Sequence, residues 1–215
     1  MQADALERYP VEIAVQVPER FERSQVLVRI LVGVAFGLIH QSAFGLFGVS
    51  YFLLPVIAAV LIKGRSPDDF LTRDAPWLIS LLEWLVGFYA YMFFVTDSFP
   101  LDQSSRCVRL RVTVGGTPSI GSALMRLLSS LPHLIALALI GIAVGVVNVI
   151  AAISILFSER YPEGLQSFQE RVVCWIARVF VYHASLVADY PPLRLGDRSS
   201  RSREHGFEGS EARAL

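Results

Sequence analysis

Between Leu127 and Phe157 the chain carries 31 consecutive residues without an Asp, Glu, Lys or Arg, and between Ile30 and Ile62 another 33. An apolar run of about 18 residues or more is long enough for a membrane helix. With 215 residues, the chain cannot wrap two such segments inside a soluble core. Only 18% of the residues are charged, against about a quarter in ordinary soluble domains. The sequence therefore predicts an integral membrane protein. The first 25 residues include Asp4, Glu7, Arg8, Glu12, Glu19, Arg20, Glu22 and Arg23. They lack the basic start and short apolar core of a signal peptide, so the first apolar run is expected to serve as an uncleaved anchor.

The chain also repeats itself. "WLVGFYAYMFFVTDSFP" at 84–100 aligns with "WIARVFVYHASLVADYP" at 175–191, an offset of 91 that places Trp84 on Trp175 and Tyr91 on Tyr182. "VEIAVQV" at 11–17 aligns with "VRLRVTV" at 108–114, an offset of 97 that also places Arg29 on Arg126. His40 matches His133, and Arg65 and Pro67 match Arg160 and Pro162. Matches in one consistent order predict two homologous halves, 9–101 and 102–193, flanked by an N-terminal tail (1–8) and a disordered polar tail (194–215).

Each half begins with an alternating strand: Val11, Ile13, Val15 and Val17, then Val108, Leu110, Val112 and Val114. Alternation of period two marks a half-buried strand. The apolar run follows, then a polar turn, then a second helix. Two full spans do not fit into 31 residues, which reach about 47 Å as a helix against a hydrocarbon core of about 30 Å. The expected arrangement is a short interfacial helix feeding one span. The spans are Ile39–Ile62, with Pro55 as a kink, and Leu134–Phe157, after a bend near Pro132. A re-entrant hairpin hinged at Gly45 and Gly48, or at Gly141 and Gly145, is the alternative.

"SERYPEGL" at 158–165 and "KGRSPDDF" at 63–70 are the turns into the second helices, expected at Val172–Ala188 and Ala75–Thr96. Glycine and proline there stop the first helix, and Arg160, Tyr161 and Pro162 lie at headgroup level. The fold class is thus mainly α, with about four transmembrane helices from two parallel repeats about the membrane normal, each preceded by a short strand. Thirteen of the nineteen basic residues fall on the side of the termini and middle connector. The positive-inside rule places that side, and both termini, in the cytoplasm.

Few residues suggest chemistry. Glu83 and Arg178 lie in second helices of opposite halves and could pair across the bundle, since ionisable residues in apolar spans are functional suspects. The competing reading leaves both near the interface, with Arg178 snorkelling. Facing histidines in a membrane bundle can hold haem. His40 and His133 stand where the spans begin, show no second ligand and read as headgroup-level side chains, so no cofactor is expected. Trp84 with Tyr91, and Trp175 with Tyr182, form equivalent stripes read as packing faces. Ser129, Ser130 and His133 are close in sequence, but no carboxylate is near to orient the histidine as a hydrolase needs. Cys107 and Cys174 show no metal or disulfide pattern. No basic stripe with interleaved aromatics points to nucleic acid.

From Leu131-Pro132-His133 through Arg160-Tyr161-Pro162, Gly164-Leu165, Trp175, Arg178 and Tyr182 to Asp189-Tyr190-Pro191-Pro192, the second half resembles the bacterial membrane family called domain of unknown function 4389. The resemblance covers about 106–195, and the first half looks like a diverged second copy. It implies a small protein of the bacterial inner membrane and supplies no catalytic residues. The expected function is that of a non-enzymatic accessory or scaffold subunit of an envelope complex. Its partners are membrane lipids and another membrane protein or a second copy. The alternative is a lipid-handling or small-solute transport protein acting between the two halves.

Overall fold

The computed structural model describes residues 9–40, 43–99, 107–195 and 200–202, with backbone alone at 35–40, 43–46 and 200–202. Strands β1 (Val11–Gln16), β2 (Val108–Val112) and β3 (Ser200–Ser202) form one sheet, in the order β2-β1-β3. The helices are α1 (Arg23–His40), α2 (Ala43–Ile62), α3 (Pro67–Asp69), α4 (Ala75–Met92), α5 (Ile120–Ser129), α6 (Leu131–Ser158) and α7 (Glu163–His183). A π-helical turn, Phe70–Asp74, joins α3 to α4.

The strand alternation works as expected. Val11, Ile13, Val15, Val108 and Leu110 are buried on one face, against α4 and α7. Glu12 and Arg111 point outward from the other. β1 and β2 pair antiparallel, with Ile13 opposite Leu110, Val11 opposite Val112 and Val15 opposite Val108. The two strands that resemble each other in sequence therefore pair with each other. β3 adds in parallel to the second edge of β1, at Ala14–Gln16. Residues 200–202 of the tail expected to be disordered are thus a strand, because β1 offers them an unpaired row of backbone groups.

Each long apolar run divides into two helices. Ser119 and Ser122 cap each other at the start of α5, Ser130 ends it, and Pro132 occupies the first turn of α6, where a missing N–H costs nothing. α6 then continues for 28 residues, about 42 Å at 1.5 Å per residue. It passes through Gly141 and Gly145 without a break, and α2 passes through Gly45, Gly48 and Pro55. This overturns the re-entrant alternative: a helical glycine costs about 1 kcal/mol relative to alanine but keeps its hydrogen bonds. In the first half α1 is itself an 18-residue helix, and α2 begins at Ala43 rather than Ile39.

The helix ends differ in detail from the reading of the turns. α6 stops at Glu159, which adopts the left-handed conformation (φ 54°), while Pro162 stands at the N-cap of α7 and Gly164 lies inside it. At the corresponding turn of the first half a glycine, Gly64 (φ 79°), does turn the chain. α7 begins nine residues before Val172, and α4 ends at Met92. The polar residues 163–171 are helical because α7 is the interior helix, in contact with α2, α4, α5 and α6. Gln166, Gln169 and Glu170 are buried.

α6 is the reverse. It buries a narrow stripe of His133, Leu137, Val144, Ala151 and Ile155. It exposes Ile135, Leu139, Ile142, Val146, Val149 and Ile153 along its length. Among the described residues it is the one helix long and apolar enough to cross a membrane. α1 and α2 also expose apolar side chains, among them Leu27, Leu31, Val34, Phe52, Leu53, Val56 and Val60.

One expected separation is overturned. The strand side and the hairpin side were placed at opposite faces of the membrane. In the structure Phe21 N–H donates to Glu159 O at 3.3 Å, Arg23 pairs with Glu159 at 3.1 Å, and the Phe21 and Tyr161 rings meet edge-on at 5.8 Å. The start of β1 lies at the other end of α6: Thr113 N–H bonds Pro10 O, Gly115 N–H bonds Leu186 O, and Val187 O is held by Arg126, just before α6. β1 and its extension thus run alongside α6 instead of lying across one end of the bundle.

Candidate functional site

The most strongly bonded polar side chains are two arginines at helix C-termini. The last carbonyls of any helix lack intrahelical partners. Arg29 donates from Nε to Tyr91 O (2.7 Å) and from Nη2 to Thr96 O (2.6 Å) and Asp97 Oδ1 (2.8 Å), closing the end of α4. Arg126 donates from Nη1 to Tyr182 O (2.5 Å) and Val187 O (2.8 Å), closing the end of α7. Each guanidinium carbon lies 4.3 Å from the centre of a tyrosine ring, Tyr91 and Tyr182 respectively. Both helices end through a left-handed residue, Phe94 (φ 56°) and Ser185 (φ 59°). The following N–H then reaches back five residues, Val95 to Ala90 and Leu186 to Val181. The Tyr89 and Phe180 rings, equivalent in the sequence alignment, touch at 5.9 Å. The halves differ at one point: Asp97 has Ala188 as its counterpart, so Arg126 is buried without a carboxylate.

Beside Arg126, a polar cluster ties three elements together. His183 donates from Nδ1 to Tyr51 O (3.0 Å), since a carbonyl can only accept. Its Nε2 lies 2.6 Å from Ser130 Oγ, which is 2.7 Å from the Tyr51 hydroxyl. Ser130 and His183 are fully buried. This serine–histidine contact couples α2, α7 and the α5–α6 joint, and a backbone carbonyl stands where a hydrolase would hold a carboxylate.

His133 is not at headgroup level. It is fully buried and accepts at Nδ1 from Trp175 Nε1–H (3.0 Å), because Trp175 on α7 faces the first turn of α6. Its ring also packs 4.9 Å from Tyr190. His40 ends α1, and its side chain lies outside the description. Tyr91, Trp175 and Tyr182 are buried, as packing faces require, whereas Trp84 is 38% exposed and stacks on Phe88. Arg160 is exposed beside Pro162 in the turn. Tyr161 is buried instead of interfacial: it packs on Phe21, and its hydroxyl donates to Gln169 Oε1. Gln169 in turn donates to Asn148 Oδ1 at 2.6 Å.

The Glu83 carboxylate has a partner on the sheet. Glu83 Oε1 accepts the Leu110 N–H at 2.9 Å, capping a backbone donor on the edge strand β2. Arg178 Nε is buried without a hydrogen-bond partner. Leu110 draws Glu83 to the sheet because an unpaired buried N–H costs about 1–3 kcal/mol. Sequence reasoning passed over Tyr51, Gln169 and Asn148, and noted His183 only among the histidines outside the tail. Their partners are remote in sequence, and the 97-residue offset that places Arg29 on Arg126 was the signal that touched this geometry.

Residues 121–193 match the family model described as Domain of unknown function (DUF4389). This segment, about a third of the chain, is similar to that family. No curated protein matches the chain, and no solved structure does. The DUF4389 segment contains Arg126 with both of its carbonyl partners, the Ser130–His183 contact and the His133–Trp175 bond. In this chain the DUF4389 residues thus fasten α5, α6 and α7 to one another.

Both cysteines are buried. Burial pushes the Cys107 thiol up to about 11, so almost none is thiolate at pH 7.5. A maleimide is expected to label neither cysteine in the folded protein within minutes, and both after unfolding in dodecyl sulfate. Mass spectrometry reads the difference. Rapid labelling of Cys107 in the native state would mean that the β2 side of the core is open.

Proposed function

We propose that the chain is a non-enzymatic, multi-pass membrane protein, built from two related halves, that acts as an accessory or scaffold subunit. The observation that carries this reading is the inversion of polarity: the uncharged α6 is exposed along its length, while α7, which bears Gln166, Gln169 and Glu170, is buried. In water that arrangement would leave a large apolar face uncovered. α6 has no charged face with which to lie in the membrane surface, so it is read as a span. The paired arginine clamps and the self-pairing strands support the two-halves reading.

The need for a partner follows from the position of the sheet. With α6 upright in a bilayer, a sheet running alongside it carries its outward face and its open edge beside the hydrocarbon, and an open sheet edge is not tolerated against lipid. Protein must therefore cover that face: another membrane protein or a second copy of this chain. Native mass spectrometry after gentle extraction tests this. The expected spectrum shows a second polypeptide or a dimer, and Arg111→Glu should remove it while leaving the thermal midpoint within about 2 °C, as for an exposed site. A lone chain carrying no polypeptide would overturn the scaffold reading.

A further inference from the structure

The first half contains a groove of about 210 Å³ that the arginine clamp helps to build. Its walls are the segment between β1 and α1, with Gln16, Arg20 and Glu22, the first turns of α1, with Gln25, and the chain after α4, with Asp97 and Ser98. Asp97 is already engaged: it accepts from Arg29 Nη2 and from Glu22 N–H, both at 2.8 Å. The Tyr91 hydroxyl fixes Gln25 at 2.9 Å. The floor is thus held rigid, and Arg20 and Glu22 stand exposed at the rim.

The second half closes the equivalent space. Its segment runs Gly115-Gly116 where the first half has Pro18-Glu19, Gly115 N–H bonds Leu186 O, and Gly116 (φ 101°) is so near that a Cβ on it would lie 3.0 Å from the Ala188 methyl. Two similar clamps therefore lead to one sealed joint and one polar groove carrying both signs of charge. Behind the groove, Arg29 is 3% exposed, and its Nη1 has no hydrogen-bond partner.

We propose that this groove binds the zwitterionic headgroup of an ethanolamine phospholipid, its phosphate against Arg20 and its ammonium against Glu22. The volume is below the range of about 300–1,000 Å³ that takes a drug-sized ligand, and suits a headgroup rather than a whole lipid. The exposed apolar residues Leu27, Leu31 and Val34 continue along α1 from the groove and give the acyl chains a surface. Guanidinium–phosphate and carboxylate–ammonium contacts are the charge-assisted bonds such a headgroup offers. The inference rests on the membrane reading above.

The test uses the full chain in nanodiscs containing equal parts phosphatidylethanolamine, phosphatidylglycerol and phosphatidylcholine, with retained lipids read by native mass spectrometry. Phosphatidylethanolamine should be retained about tenfold over each competitor, the ratio that one such contact supplies. Arg20→Gln and Glu22→Gln should each abolish that preference without moving the thermal midpoint, which shows that both variants fold. No preference in the wild type, or a preference that survives both variants, overturns the proposal. So does full displacement by soluble glycerophosphoethanolamine, which would make the ligand a free zwitterion. Extraction with alkaline carbonate separates the two readings: a chain released into solution fails the membrane reading, and a chain that resists release but shows no lipid preference fails this one alone.

Discussion

Arg126→Ala is expected to cost the folded protein about 3 kcal/mol, since hydrogen bonds from charged groups contribute about 1.5–3 kcal/mol each and two are lost. For a chain of this size that corresponds to a fall in thermal midpoint of roughly 6–12 °C, read by intrinsic fluorescence in mild detergent. The cause is local. Tyr182 O, in the last turn of α7, also accepts from Ser185 N–H at 3.0 Å, and Val187 O lies just past the helix end, so Arg126 ties the helix end to the chain that follows it. The guanidinium also stacks on the Tyr182 ring, so its removal loses packing as well as charge. Arg126→Lys should recover only part of the loss, because a single ammonium on a flexible stem cannot reproduce a planar donor held over a ring. Arg29→Ala loses three such bonds and leaves the Asp97 carboxylate to the Glu22 N–H, so its penalty should be at least as large. A change of about 0.5 kcal/mol or less for Arg126→Ala, as at ordinary surface sites, would mean that the clamp does not hold the end of α7.

The internal alignment was legible in the sequence and the closures were not. The offsets of 97 and 91 placed Arg29 on Arg126 and Tyr91 on Tyr182. They did not reveal that each arginine closes a helix whose left-handed residue is Phe94 or Ser185, because those positions carry no glycine to mark them. Strand alternation gave the buried face of β1 and β2, since period two is a local property. Their mutual pairing and the tail strand β3 depend on contacts between residues far apart in sequence, which no local pattern encodes. The polar start of α7 was misread for a related reason. Gln166, Gln169 and Glu170 look like part of a polar turn until the burial of α7, and the bond of Gln169 to Asn148 on α6, are known. Glu83 stands out in the sequence as an ionisable residue in an apolar helix, but its bond to the Leu110 N–H of β2 could not be read there, because strand and helix are 27 residues apart.

Ile142→Arg should produce the largest effect outside the clamps, and its size depends on what surrounds α6. Ile142 lies near the middle of α6 and is 68% exposed. Were its neighbours water, the substitution would shift stability by no more than about 0.5 kcal/mol, as at most surface positions. In the centre of a bilayer the same arginine costs about 2.5–3.5 kcal/mol even after local water defects form. Leu131, at the first turn of α6, should accept arginine at much lower cost, because a long side chain there snorkels to the interface. A scan of arginine through Leu131, Ile135, Leu139 and Ile142, with the membrane-inserted fraction measured for each, is therefore expected to show a penalty that grows toward the middle of the helix. All four are exposed, so steric clash within the protein contributes little to the trend. A flat profile would show that α6 faces water or a protein surface, and with it the reason for placing the sheet at hydrocarbon depth would be lost. A graded profile would locate α6 across the bilayer and leave the outward face of β1 and β2 in need of protein cover.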